Sequence, residues 1–509
     1  MFEDDDFASS QRFRALPIPA LCAIAVIAAF GLVFVLGDSP SKSFVLVALG
    51  AIAAPIAVGG IVYAVRHREW APFALALVFL LIEVSFLSDS TRAPLHYGAL
   101  AMLAVPMLPA VRRSGILGTG GFRLYVIYFA WAAVTVVYSL SPLYSGARLV
   151  ESVLAMIALA GCVLEVRQPD DVSRLLLHFL LACGVVLVLL ALSTVLMPHS
   201  ISWASPQESY TAQELANYAK QGLSVDGLNR FRGMLNNPND VGALMLIVVG
   251  LALVRWPAAQ GRERLMLAAM IIASLMLDFL ADSRSPAVAV GIGCALYAIW
   301  KWRLRGILLC AGVLALAAAV VSFHSGFSAY IDRGDVSTLT GRTDIWDFIV
   351  RQIQARPFLG YGYETSGTVF QSRYFPLWWG PWDLGPHSSL HNGYLGHALG
   401  LGIPATILWL FIVLRPWVFA LRQPQDPWNL KPMFFFIAVP ALINNFSEQA
   451  LGDFGGGVIA LLFGLAWVIA ERSRVVALEK IRVERERAQV ELPRAVAALA
   501  SAQWARASR

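Results

Sequence analysis

"LLLHFLLACGVVLVLLALSTVLM" occupies residues 175–197. No Asp, Glu, Lys or Arg interrupts it, and Arg174 stands just before it. A helix needs about 20 apolar residues to cross the hydrocarbon core of a bilayer. The stretch therefore reads as a membrane span, and the same pattern recurs on either side. About fourteen runs approach the length that a span needs: near 18–37, 43–65, 71–88, 97–111, 124–140, 149–165, 175–197, 241–254, 265–281, 286–300, 306–323, 394–414, 432–450 and 455–470. The 509 residues are 58% hydrophobic and 14% charged, with a mean hydropathy of +0.65. Soluble domains carry roughly 25% charged residues. The expectation is an all-α integral membrane protein with about 12–14 transmembrane helices.

Composition excludes several other classes. Cys22, Cys162, Cys183, Cys294 and Cys310 sit in apolar runs without metal spacing, so they read as packing residues. The net charge of +6 fits loop arginines facing anionic lipid and not a nucleic-acid footprint. The acidic start "MFEDDDF" lacks the basic n-region of a cleavable signal.

Basic residues set the sidedness. With the N-terminus inside, the inner loops carry Arg66 and Arg68; Arg112, Arg113 and Arg123; Arg167 and Arg174; Arg255, Arg262 and Arg264; Lys301, Arg303 and Arg305; Arg415, Arg422 and Lys431. The short outer loops carry Lys42, Arg92 and Arg148. Two longer segments, 198–240 and 324–393, then fall outside, and long loops tend to be functional. Within the second, "GRTDIWDFIVRQIQARP" places Ile345, Ile349 and Ile353 at helical spacing with Pro357 closing the run, which predicts a short amphipathic helix. From Glu471 onward the pattern is that of a charged, solvated helix.

Three outer stretches carry polar residues that lipid would not tolerate without reason. "NRFRGMLNNPNDVGALM", 229–245, brings Arg230 and Arg232 to a turn that opens a helix. Arginine forks match phosphate oxygens; the plainer alternative is contact with lipid phosphates. "ADSRSPAVAV", 281–290, puts Arg284 at an outer turn, with pairing to Asp282 as the plainer alternative. "HSSLHNGYLGHALGLG", 387–402, offers His387 and His391, with Asn392 entering a helix. Histidine's ordinary pKa of about 6.5 suits proton transfer at neutral pH. Together these residues suggest an outward cavity for an anionic, phosphorylated ligand held without a metal, since no His/Asp/Glu set has catalytic metal spacing.

Over roughly 225–400 these stretches resemble the bacterial O-antigen ligase and polymerase superfamily. The likeness rests on the arginine-then-"NNPN" entry to a span, "SRS", "GRTDIWDFIVRQIQARPFLGYGY" and "HSSLHNGYLGHALGLG". The last two, with "NNFSEQ" at 444–449, look most like the branch that polymerises exopolysaccharides.

The resemblance implies a GT-C-like membrane glycosyltransferase in the bacterial inner membrane, with its active site facing the periplasm. It would be metal-independent and inverting and would need no cofactor. Its donor would be a glycan on undecaprenyl diphosphate, and its acceptor a second glycan (polymerase) or lipid A-core (ligase). Arg232 and Arg284 would bind the diphosphate and His391 would be the base; Arg230, His387, Asn392, Arg342 and Glu448 would support them. A flippase and a chain-length regulator are the implied partners.

The corresponding organisation is a cytoplasmic N-terminus at 1–16, membrane helices at 17–197, 241–323 and 394–470, periplasmic loops at 198–240 and 324–393, and a cytoplasmic tail at 471–509. From a different class, a transporter or flippase of lipid-linked sugars would place its ionisable residues near the bilayer midplane, whereas here they sit at the rim.

Overall fold

The computed structural model describes residues 58–82, 89–164, 166, 168–196, 203–204, 229–235, 237–323, 342–373, 390–448, 451 and 457–507. The expected span near 18–37, most of that near 43–65, and His387 lie outside the described residues.

The described chain is almost wholly helical. The first half contains α1 (Ala71–Ile82), α2 (Asp89–Ser114), α3 (Gly120–Val137), α4 (Pro142–Val163) and α5 (Pro169–Leu196). The central region has α6 (Pro238–Arg255), α7 (Gly261–Ala281), α8 (Arg284–Trp302) and α9 (Leu304–Phe323). Two short helices follow in the long loop, α10 (Arg342–Ala355) and α11 (Ser366–Arg373). The last part holds α12 (Gly393–Leu401), α13 (Ile403–Arg422), α14 (Leu430–Asn444) and α15 (Val458–Ala507). The only strands among the described residues are β1 (Trp203–Ala204) and β2 (Arg230–Phe231), which pair antiparallel.

Among the described residues, seven helices are long and apolar enough to cross a membrane: α2 from Pro94, α3, α4, α5 to Thr194, α6, α7 and α13. Two shorter apolar helices accompany them, Leu304–Ala315 and Leu430–Asn444. This is the expected all-α multi-pass membrane protein. The expected amphipathic helix is α10, whose Phe348, Ile349 and Ile353 bury against Tyr361, Val369, Leu390 and Leu399 in a small core of their own. The main core runs through the bundle and encloses Trp417, Trp467, Tyr128 and Phe179.

Helix starts differ from the expected boundaries where polar residues lead into a span. α4 begins at Pro142, inside the run "SPLYSGARLVES", because proline suits the first helical turn. Arg148 therefore lies on a helix and pairs with Glu151 at 2.5 Å, and is not a loop cation. α15 unites the expected last span and the charged tail in one helix.

Hydrogen bonds among the motif-bearing turns gather them at one end of the bundle. The backbone ties them there. Leu140 N–H donates to the Tyr361 carbonyl, Tyr361 to Leu399, and Gly393 to Asn445. The opposite end carries the basic turns, where Arg255 meets Glu263 and Ser173, and Gly121 N–H donates to Glu471.

Candidate active site

Several segments build the polar end of the bundle, and each is shaped by its own local chemistry. α6 opens with a capping box: the Asn237 side chain accepts from Asn239 N–H at 2.9 Å, and Asp240 accepts in return from Asn237 N–H at 3.1 Å. The "NNPND" stretch is thus a helix start that fixes Asn239 in the first turn. α7 ends on Asp282 in the left-handed region, φ 51°, and α8 starts two residues later, so Asp282–Ser285 forms a sharp hinge between two long helices.

α12 is capped by Asn392, whose side chain accepts from Leu395 N–H at 3.0 Å. Immediately before it, His391 has φ 49°, an uncommon conformation for a non-glycine residue that tends to mark functional sites. Gly393 must be glycine here: a Cβ would lie 2.0 Å from the Asn445 side chain. That close approach seats the start of α12 against the end of α14.

One carboxylate joins these segments. Glu448 Oε2 lies 3.0 Å from His391 Nδ1. Its Oε1 accepts from Arg342 Nη2 at 3.1 Å and from Asn239 Nδ2 at 3.2 Å. Arg342 also donates to the Ser447 carbonyl at 2.7 Å. Burial alone would raise the Glu448 carboxyl. The His391 hydrogen bond and charge, with the Arg342 guanidinium, outweigh burial and hold it below the ordinary glutamate value. An ionised, partly shielded carboxylate thus faces a histidine and an arginine.

Arg230 extends the cluster toward the hinge. Its Nη2 donates to Asn239 Oδ1 at 2.8 Å and to the Asp282 carbonyl at 3.2 Å, and its Nε donates to the Ala281 carbonyl at 2.8 Å. A guanidinium on the last carbonyls of α7 satisfies groups a helix end leaves without partners. Arg230 is therefore committed to holding the hinge. Arg232 lies one residue beyond β2, half-buried, in a turn closed by Leu235 N–H on the Arg232 carbonyl at 3.0 Å. Arg284 is the first residue of α8 and reaches Asp282 at 3.4 Å. The next residue, Ser285, donates to Asn444 Oδ1 at 3.0 Å and meets Ser447, which fastens the hinge to the end of α14.

Of the residues singled out from the sequence, the structure joins Arg230, Arg342, His391 and Glu448 in one network. It places Arg284 on the hinge that Arg230 holds, and gives Asn392 the role of a helix cap. Asn239 and Ser285 were missed: both sit inside quoted motifs, but each reads there as ordinary turn or helix-start chemistry. Among the described residues no group of three or more His, Cys, Asp or Glu could hold a metal ion.

Comparison with curated proteins gives no match for this chain. Residues 268–410, from α7 through the long loop to the first turns of α13, match the family model described as O-antigen ligase. That stretch holds Arg284, Arg342 and His391, and its partner Glu448 follows close behind. Residues 268–410 of this helical membrane protein are thus similar to the O-antigen ligase family.

Proposed function

We propose that the chain transfers a glycan from undecaprenyl diphosphate to a sugar hydroxyl at the periplasmic face of the bacterial inner membrane. The observation that carries this reading is the pairing of His391 with Glu448 beside Arg342, on the same bundle end as the Arg284 hinge. A histidine backed by a carboxylate can accept a proton. Arginines at a membrane rim can take the diphosphate, whose charge grows as it leaves.

In the proposed reaction His391 removes the proton of the attacking hydroxyl. That oxygen forms a bond to the anomeric carbon while the bond from that carbon to the diphosphate oxygen breaks. Arg232 and Arg284 stabilise the departing anion, and in-line attack inverts the anomeric configuration. The polyprenyl chain stays in the bilayer, so the diphosphate meets the protein at the rim.

We assign the acceptor to a second lipid-linked repeat unit, which makes the protein a polymerase. The support is the likeness of "GYGY", "HSSLHNGYL" and "NNFSEQ" to exopolysaccharide polymerases. Purified protein given undecaprenyl-diphosphate repeat units should make longer lipid-linked chains. Transfer only when lipid A-core is added would make it a ligase, and transfer to neither would remove the enzymatic reading. Cysteine labelling should find the 342–373 segment on the periplasmic side; labelling from the cytoplasm would refute the proposed site.

A further inference from the structure

The His391 imidazole does not stand alone at the mouth of α12. From its Nδ1 a line of side chains runs through Glu448 Oε2, Glu448 Oε1, Asn239 Nδ2, Asn239 Oδ1 and Arg230 Nη2 to the Asp282 carbonyl of the hinge, with Arg230 Nε on the Ala281 carbonyl beside it. Each step is directional. Arg230 can only donate, so Asn239 must turn its oxygen toward Arg230 and its NH₂ toward Glu448. Glu448, kept ionised by its neighbours, can only accept, so His391 must donate from Nδ1. Arg342 completes the shell on the Glu448 oxygen that faces Asn239.

Resting on the base assignment above, we propose that Asn239 and Glu448 are positioning residues that fix His391 in the tautomer protonated on Nδ1. Nε2 is then the nitrogen that takes the acceptor hydroxyl's proton. The Glu448 carboxylate balances the imidazolium formed in that step, while the glycosyl carbon exchanges its bond to the diphosphate oxygen for one to the acceptor oxygen. The same line anchors the base to the hinge that carries Arg284. The distance between the proton acceptor and the diphosphate-binding arginine is thereby set by the protein and not by substrate. The left-handed backbone of His391 is consistent with this, because a strained residue persists where its surroundings hold it.

The test compares His391→Ala, Glu448→Gln, Glu448→Asp and Asn239→Asp in detergent-purified full-length protein, with undecaprenyl-diphosphate repeat units as substrate. Glu448→Gln keeps the shape but removes the charge. Asn239→Asp keeps the Arg230 contact but replaces the donor toward Glu448 by an acceptor. Both should lower kcat by at least tenfold, up to about 10⁴-fold where the tautomer is lost. KM for the donor should change by less than about threefold, because the relay does not touch the diphosphate. Glu448→Asp should recover part of kcat.

Wild-type kcat in both Glu448→Gln and Asn239→Asp, beside an inactive His391→Ala, would overturn the relay and leave His391 as the base. An equal loss in KM and kcat, not relieved by Glu448→Asp, would make the line merely structural. Near-wild-type transfer by His391→Ala would refute the base assignment, and the relay with it.

Discussion

Among the described residues, two histidine–carboxylate–arginine trios stand in contrast. In the first half, His96 Nε2 meets Glu151 at 2.9 Å, and Arg148 meets the same carboxylate at 2.5 Å. Tyr97 adds a third hydrogen bond at 3.1 Å. In the second half, His391 meets Glu448 at 3.0 Å and Arg342 at 3.1 Å closes the trio. The residue types and distances are nearly the same. The side chains of His96 and Glu151 are 1% and 0% exposed, whereas those of His391 and Glu448 are 32% and 20% exposed. The second ring nitrogen of His96 faces the Val78 carbonyl at 3.3 Å, so that imidazole is enclosed on both sides. Access separates the enclosed trio from the one proposed to react.

Loss of His391 should break the contrast most sharply. His391→Ala is expected to lower transfer by about 10²–10⁴-fold, the usual worth of a general base, while leaving donor binding intact. His387→Ala should cost much less. Single-turnover assays on both variants at matched expression check this; an inactive His387 variant beside an active His391 variant would reverse the assignment. Wild-type transfer should also fall on acidification, because a protonated imidazole cannot accept a proton.

The arginines come next. Arg232→Ala and Arg284→Ala should each lower kcat by roughly 10²–10³-fold, the cost of removing one donor to developing charge. Lysine should restore little, since it keeps the charge without the fork. Full activity of both lysine variants would show that a point charge suffices. Arg230→Lys should instead loosen the hinge and lower the melting temperature.

Changes in the enclosed trio should affect stability and not chemistry. Glu151→Gln removes the carboxylate from buried His96 and from part-buried Arg148 and Tyr97, and should destabilise the protein by about 3–5 kcal/mol. Transfer per folded molecule should stay close to wild type. Thermal unfolding in detergent beside the transfer assay separates the two effects, and a selective loss of transfer would give the first trio a role in the reaction.

The smallest expected effect concerns pH. The folded Glu448 carboxyl lies below its ordinary value. Its stabilising contribution is therefore fully present above the unfolded value, about 4.3, and is lost as pH falls through the lower folded one. Melting temperatures of wild type and Glu448→Gln should converge on acidification within that window. A constant difference would mean that Glu448 charge does not stabilise the fold.

Most of the fold could be read directly from the chain. Hydropathy located α2 to α7 because lipid imposes an apolar run on each span. The periodicity of Ile345, Ile349 and Ile353 disclosed α10. The site was legible in its residue types but not in its pairings. "RFR" offers two arginines of equal standing, and only the course of β2 beside α7 commits Arg230 to the hinge. Asn239 looked like turn chemistry because its partners, Arg230 and Glu448, lie on other segments. Arg148 read as a loop cation because Glu151, which makes its helical position tolerable, is itself inside a span. Polar residues that satisfy one another across distant helices leave no local pattern.

The last helix has a mechanical consequence. α15 is one unbroken helix from Val458 to Ala507, buried through Ala470 and pinned where Glu471 accepts from Gly121 N–H and Arg474. Beyond that pin, at 1.5 Å per residue, the rod reaches about 55 Å. A rod of that length is a lever: a tilt of roughly 5° at the pin would sweep its tip through about 5 Å. Any small rearrangement between α3 and α15 would thus become a displacement the size of a side chain, far from the bundle that produced it.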